Sequence, residues 1–219
     1  MRRGAIALVC VAALATAAHR AHGQDADAAR RSGVRLLALS SPALLTPHPV
    51  IRDALERILA RSALFRRGLE KVSDVGHHVL VLTTEQVAIA GGRGDGDSGH
   101  FDDSELAEAI PVDEPDSVIR TVVVVLNLEL LQRVAHDVSL GERDLADDID
   151  RILIHEVYGH AVPLLLEGRA GRCGDPEEGQ PAVEACSVRR ENEVRAEAGL
   201  GRRTDYGLRS LALGRRLGR

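Results

Sequence analysis

The sequence predicts an α+β fold, a small sheet beside several helices, two of them long and C-terminal. Two runs set the strands. His78–Thr84 (HVLVLTT) and Val118–Leu128 (VIRTVVVVLNL) are short and rich in β-branched residues, as strands are. A third observation sets the helices: apolar residues return at helical spacing after Pro49 and again after Arg143. Strands and helices do not alternate steadily, which argues for α+β and against a repeating βα fold. The 219 residues suit one domain, or one domain with two lobes. Hydrophobic residues make up 44%, but aromatics only 2%, and there is no Trp, so the core must be built from Leu, Val, Ile and Ala.

The first 23 residues carry Arg2 and Arg3, then an apolar run over Ala5–Ala18, then Ala21-His22-Gly23 before Gln24. That is the layout of a cleaved export signal. The apolar run is shorter than the roughly 20 residues of a spanning helix. Residues 1–23 are therefore expected to be a signal peptide, the mature protein to be secreted or periplasmic, and no membrane anchor to be retained. Cys10 lies within the apolar run and has no lipobox before it.

Residues 24–32 read as a polar linker and 33–219 as the folded domain. Val34–Leu39 (VRLLAL) is a candidate strand. The run VIRDALERILARSALFRRGLEKV after Pro49 places Ile51, Leu55, Ile58, Leu59 and Leu64 at helical spacing. AGGRGDGDSGHFDDS reads as a solvated hairpin loop, from the turn chemistry of Gly and Asp. Its RGD triplet (Arg93–Asp95) is of a kind common by chance. Asp95, Asp97, Asp102 and Asp103 do not fit the twelve-residue calcium-loop spacing. Two helices follow, Arg143 to Gly159 and Pro181 to Gly199. The tail GRRTDYGLRSLALGRRLGR reads as an amphipathic helix with a solvated Arg face. The domain divides on this reading into an α/β lobe, 33–141, and a helical lobe, 142–219.

Chemistry concentrates in the run HEVYGH, His155 to His160. Two histidines and a carboxylate on one helix are what a zinc hydrolase uses: imidazoles hold the metal, and the carboxylate takes a proton from the water the metal activates. The usual spacing, HExxH, puts both His at i and i+4. Here the second His is at i+5, about 140° round a regular helix from the first. A π-bulge, with about 4.4 residues per turn, would return both rings to roughly one face, and Gly159 offers a permissive residue beside it. Glu156 and His160 share a stripe with Ile149, Ile152 and Leu153. A carboxylate on a core stripe is costly unless paired or near a metal. Pro163 predicts a break or kink just after the motif. His77, His78 and His100 have no ligand spacing to it.

A catalytic zinc commonly takes three protein ligands, and the next helix offers Glu184, Glu191, Glu193 and Glu197. HEVYGH resembles the HExxGH motif of the dipeptidyl peptidase III family of zinc peptidases, and NEVRAE (Asn192–Glu197) is similar to that family's EECRAE. That resemblance covers two short motifs and implies Glu193 as ligand. ENEVRAEAGLGRRTDYG resembles the ENxxRxExGLxxRxxY tail of short zincin-like effector and toxin metallopeptidases of bacteria. That second likeness covers roughly Asp147 to Tyr206, departs from those families in its HExxxH spacing, and implies a compact zincin-like, gluzincin-type domain with a metal-bearing helix pair. Helical geometry favours Glu191: at about 100° per residue it lies at the edge of the side holding Val183, Ser187, Val194 and Ala198, while Glu193 points nearly opposite. The expected zinc set is thus His155, His160 and Glu191, with Glu184 second and Glu193 a solvated charge. Glu156 is the expected general base. Arg195, at i+4 from Glu191, would form a structural ion pair with it, or else orient it or hold a substrate carboxylate. Tyr158 and Tyr206 are candidate donors to a tetrahedral oxyanion.

These residues point to an exported zinc metallopeptidase acting on a peptide or protein substrate. The alternative is a zincin-fold protein that binds zinc or a partner without turnover, and hydrolysis of a non-peptide amide would use the same chemistry. Removing residues 1–23 removes three Arg and no acid, so the formal charge of −5 becomes −8; such a chain is not expected to bind nucleic acid. Cys173 and Cys186 would remain, an even pair expected to form a disulfide after export. The run Val122–Asn127 is either an edge that takes an extended peptide or a buried central strand.

Overall fold

The computed structural model describes residues 36–37, 39–89, 106–112, 119–168, 182–203 and 211–217. It is an α+β fold with one mixed four-stranded sheet. The strands are β1 (Leu44–Leu45), β2 (His78–Thr83), β3 (Ala107–Pro111) and β4 (Thr121–Leu126), in the order β1-β2-β4-β3. β1, β2 and β4 run parallel, and β3 is antiparallel to β4. Every residue of β2 and β4 is buried. Their side chains alternate between two cores: Val79, Val81, Val122, Val124 and Leu126 face the main one, Leu80, Leu82, Val123 and Val125 a smaller one. A strand covered on both faces reads as a continuous apolar run, which accounts for the Val-rich sequence. β4 is therefore an interior strand, like β2, and β3 is the described outer strand on its far side.

Two sequence expectations are corrected here. Among the described residues of Val34–Leu39, Leu37 makes only an isolated antiparallel bridge to Thr46, and the strand at this edge is Leu44–Leu45. The helical run after Pro49 is two helices, α1 (Pro49–Arg61) and α2 (Ala63–Asp74). Ser62 between them is extended, and its Oγ accepts from Phe65 N at 3.1 Å. A Ser N-cap of this kind starts a new helix. Glu197, from the other end of the chain, completes the cap: it accepts from Ser62 Oγ at 2.8 Å and Leu64 N at 2.9 Å.

The remaining helices are α3 (Thr84–Ile89), α4 (Leu128–Asp137), α5 (Glu142–Leu153), α6 (Val162–Glu167), α7 (Ala182–Glu197) and α8 (Ala212–Leu217). Between α5 and α6 lies a π-helical segment, Ile154–Ala161. α5, this segment and α6 form one unbroken helical run, closed by Gly168 at φ +68°. The main core takes residues from Ala43 to Leu213, so both expected lobes share it. Fully buried Asp148 ties the chain's last helix down, accepting from Ala212 N and Leu213 N at 2.8 Å each and from Arg151 at 2.7 Å. α8 shows Arg215 and Arg216 to solvent and buries Ala212 and Leu213, the amphipathic pattern expected of the tail.

The signal-peptide and linker regions (1–32), the Gly/Asp loop with Arg93–Asp95, His100 and Tyr206 lie outside the described residues. Among the described residues no helix is long and apolar enough to cross a membrane. Cys186 is buried on α7. It is disulfide-bonded, and its expected partner, Cys173, lies outside the described residues.

Candidate metal centre

The i+5 spacing of the two histidines is absorbed by the π segment over Ile154–Ala161. With about 4.4 residues per turn, five residues leave the rings roughly 50° apart instead of the roughly 140° of an α-helix. The rings meet edge to face with centroids 4.7 Å apart, and His155 Nε2 lies 3.2 Å from His160 Nε2. Gly159 is needed for packing rather than for an unusual backbone: it is not among the positive-φ residues. A Cβ built on it would lie 3.1 Å from Ser187 Cβ and 3.3 Å from both Ser187 Cα and O. The missing side chain lets α7 close directly onto the π segment.

The break expected at Pro163 is absent. Pro163 stands at the junction of the π segment and α6, just after Val162, whose N–H reaches back five residues to Val157 O. The carbonyl four residues back, that of Gly159, receives the Ser187 hydroxyl at 3.2 Å.

α7 presents a buried stripe to the motif: Ser187, Glu191, Val194, Arg195 and Ala198. Glu191 is 1% exposed. Its Oε2 lies 3.0 Å from His155 Nδ1 and 3.1 Å from Arg203 NH1, and its Oε1 2.5 Å from Arg195 NH1. Arg195 is equally buried and donates from Nε to Gly201 O at 2.8 Å. Burial alone would raise the Glu191 carboxyl, but the hydrogen bond and charge of His155, then Arg203 and Arg195, outweigh it and hold the group below the ordinary range. The carboxylate is thus an anion that can only accept, so His155 Nδ1 carries a proton. Arg203 NH1 also lies 3.2 Å from His155 Nδ1. Both are donors converging on one carboxylate oxygen. Asn192 fixes the segment that delivers Arg203, accepting from Arg203 N at 2.6 Å and donating to Arg203 O at 3.0 Å.

His155, His160, Glu156 and Glu191 are therefore brought together, but on different sides of the rings. Glu191 stands at Nδ1 of His155, away from the paired Nε2 atoms. Glu156 is buried, with Oε1 4.0 Å from His155 Nε2. Glu193 is exposed, as the helical-face argument expects, and the Glu184 side chain lies outside the described residues. Glu197 caps α2 instead of joining the site. Tyr158 packs on Phe65, with ring centroids 6.1 Å apart, and over Gly68. Burial, then the nearby Glu193 charge, push its phenol up. That is a core-edge role, with the ring turned onto α2. His77 is 3.0 Å from Leu165 O through Nδ1, and His78 is buried in β2.

Ser187 and Arg203 were not legible as site residues. Ser187 had one signal, a polar residue on the apolar stripe of α7, four residues before Glu191. No family profile, curated protein or solved structure matches the chain.

The pair of histidines suits a metal ion. Zn–N bonds of 2.0–2.1 Å at a tetrahedral angle place two ligand nitrogens about 3.3 Å apart, and the two Nε2 atoms stand at 3.2 Å. Both Nδ1 atoms are engaged, by Glu191 and by Ser187 Oγ at 3.2 Å. Second partners of this sort orient metal-binding histidines. No group of three His, Cys, Asp or Glu is gathered as a cage among the described residues.

Proposed function

We propose that this chain is a zinc-dependent hydrolase of peptide bonds, exported as its N-terminus suggests. The observation that carries the reading is the facing pair of Nε2 atoms at a tetrahedral ligand separation, each ring held from behind. His155 and His160 would hold Zn²⁺. We assign Glu191 to orienting His155 and not to the metal itself, because its oxygens already serve His155, Arg195 and Arg203. When bound, zinc would polarise a substrate carbonyl and acidify a water. Glu156, beside His155 Nε2 and largely shielded from solvent, would take the proton from that water. An extended peptide would find its backbone partners on β3, the outer described strand, which packs against the π segment.

The rival reading, a zinc-binding protein without turnover, draws on the two-histidine ligand set. Zinc content measured beside peptide hydrolysis, with and without a chelator, separates them. Zinc binding with no hydrolysis of any member of a peptide library selects the rival. No zinc binding by the folded protein overturns both.

A further inference from the structure

Ser187 lies outside every ligand set weighed above, yet it is 1% exposed on the face of α7 that meets the π segment. Its Oγ lies 3.2 Å from Gly159 O and 3.2 Å from His160 Nδ1. A serine hydroxyl has one proton to give. The Gly159 carbonyl can only accept, so the proton goes there. Toward His160 the Ser187 oxygen then offers a lone pair, and His160 Nδ1 must be the donor. A neutral His160 held this way carries its proton on Nδ1 and leaves Nε2 bare, facing His155.

The approach of Ser187 to the Gly159 carbonyl has a cause in the sequence. Gly159 itself makes the approach possible, since any Cβ there would press on Ser187. We propose that Ser187 is a positioning residue for metal binding: anchored on the Gly159 carbonyl, its hydroxyl fixes His160 as the Nδ1–H tautomer and presents Nε2 to zinc. Gly159 and Ser187 act as one device. The inference rests on the zinc reading above.

The test reads the tautomer directly, on metal-free protein. Long-range ¹H–¹⁵N correlation spectra, recorded above the pH range in which imidazole ionises, distinguish Nδ1–H from Nε2–H at His160. Zn²⁺ affinity is measured separately by chelator competition. Wild type is expected to show Nδ1–H. Ser187→Ala is expected to show a mixture and to bind Zn²⁺ roughly 10–100-fold more weakly, the range for lost outer partners. Ser187→Thr, which keeps the hydroxyl, is expected to restore both. A packing role alone for Ser187 would leave the His160 tautomer unmoved. Zinc binding by wild type, with tautomer and affinity unchanged in Ser187→Ala, overturns this inference alone. A wild type that holds His160 as Nδ1–H and binds no zinc overturns the metal reading and, with it, the purpose assigned to Ser187. If Ser187→Ala does not fold, the wild-type tautomer decides the matter, and Nε2–H at His160 overturns the inference.

Discussion

Replacing Glu191 by Gln keeps the side-chain volume and removes only the charge, so the outcome reads the electrostatics of the network and not a cavity. Glu191 and Arg195 are both 1% exposed and meet at 2.5 Å. One Gln oxygen can serve Arg195 or the His155–Arg203 side, not both, and the new NH₂ is set against donors. Leaving one partner of a buried pair uncompensated costs about 3–5 kcal/mol. For a domain of this size each kcal/mol moves Tm by about 2–4 °C, so Glu191→Gln is expected to melt about 6–20 °C below wild type. Thermal unfolding followed by circular dichroism measures this. In the same variant, folded at low temperature, Zn²⁺ should bind roughly 10–100-fold more weakly but still in one equivalent, because the change lies behind His155 and not on the metal. A Tm within about 2 °C of wild type would refute the buried-pair argument. Complete loss of zinc from folded Glu191→Gln would refute the orienting role and restore Glu191 as a ligand.

Three further predictions use other residues. Glu156→Gln should keep zinc while peptide hydrolysis falls by roughly 10²-fold or more; loss of zinc from the folded variant would instead make Glu156 a ligand. Gly159→Ala gains about 1 kcal/mol of helix propensity but presses on Ser187 backbone atoms at 3.3 Å, and overpacking of that kind costs about 1–3 kcal/mol. Urea unfolding should show a net loss, and a variant more stable than wild type would show that α7 yields. Glu197 has its carboxyl lowered by its bond from Leu64 N, then from Ser62. A lowered acid stabilises above its unfolded pKa, near 4.5, and loses that contribution as pH falls through the folded value. The Tm gap between wild type and Glu197→Gln should therefore be present at neutral pH and close in acid; a gap independent of pH would mean that the charge plays no part.

Much of this architecture could be read from the residues, and the failures have identifiable causes. The Val-rich run could be recognised as a strand because it is short and β-branched, and its continuous apolar character follows from cover on both faces. The i+5 spacing pointed to a π distortion because only a wider turn brings His155 and His160 together, and the helix widens there over eight residues, Ile154–Ala161. Periodicity carried straight through Ser62, since a 100° pattern is blind to one extended residue that keeps its neighbours in phase. The kink at Pro163 did not materialise: the residue stands where the π segment passes into α6, not inside a regular α-helix. Helical-face reasoning put Glu191 on the packed side and Glu193 in solvent. It could not say which nitrogen of His155 the carboxylate would meet, because that depends on the separation and rotation of two helices.

The anchoring of α8 on Asp148 limits how the molecule can be cut or tagged. Asp148 accepts from two backbone amides that lie 64 and 65 residues downstream. A protein shortened before Leu211 would leave the Asp148 carboxylate with Arg151 as its remaining described partner. The acid sits on α5, which leads directly into the histidine-bearing segment. Proteolytic clipping near the end of the chain would therefore be felt at the root of the metal helix. Fusions placed after α8 should leave that anchorage intact, whereas fusions replacing it would not.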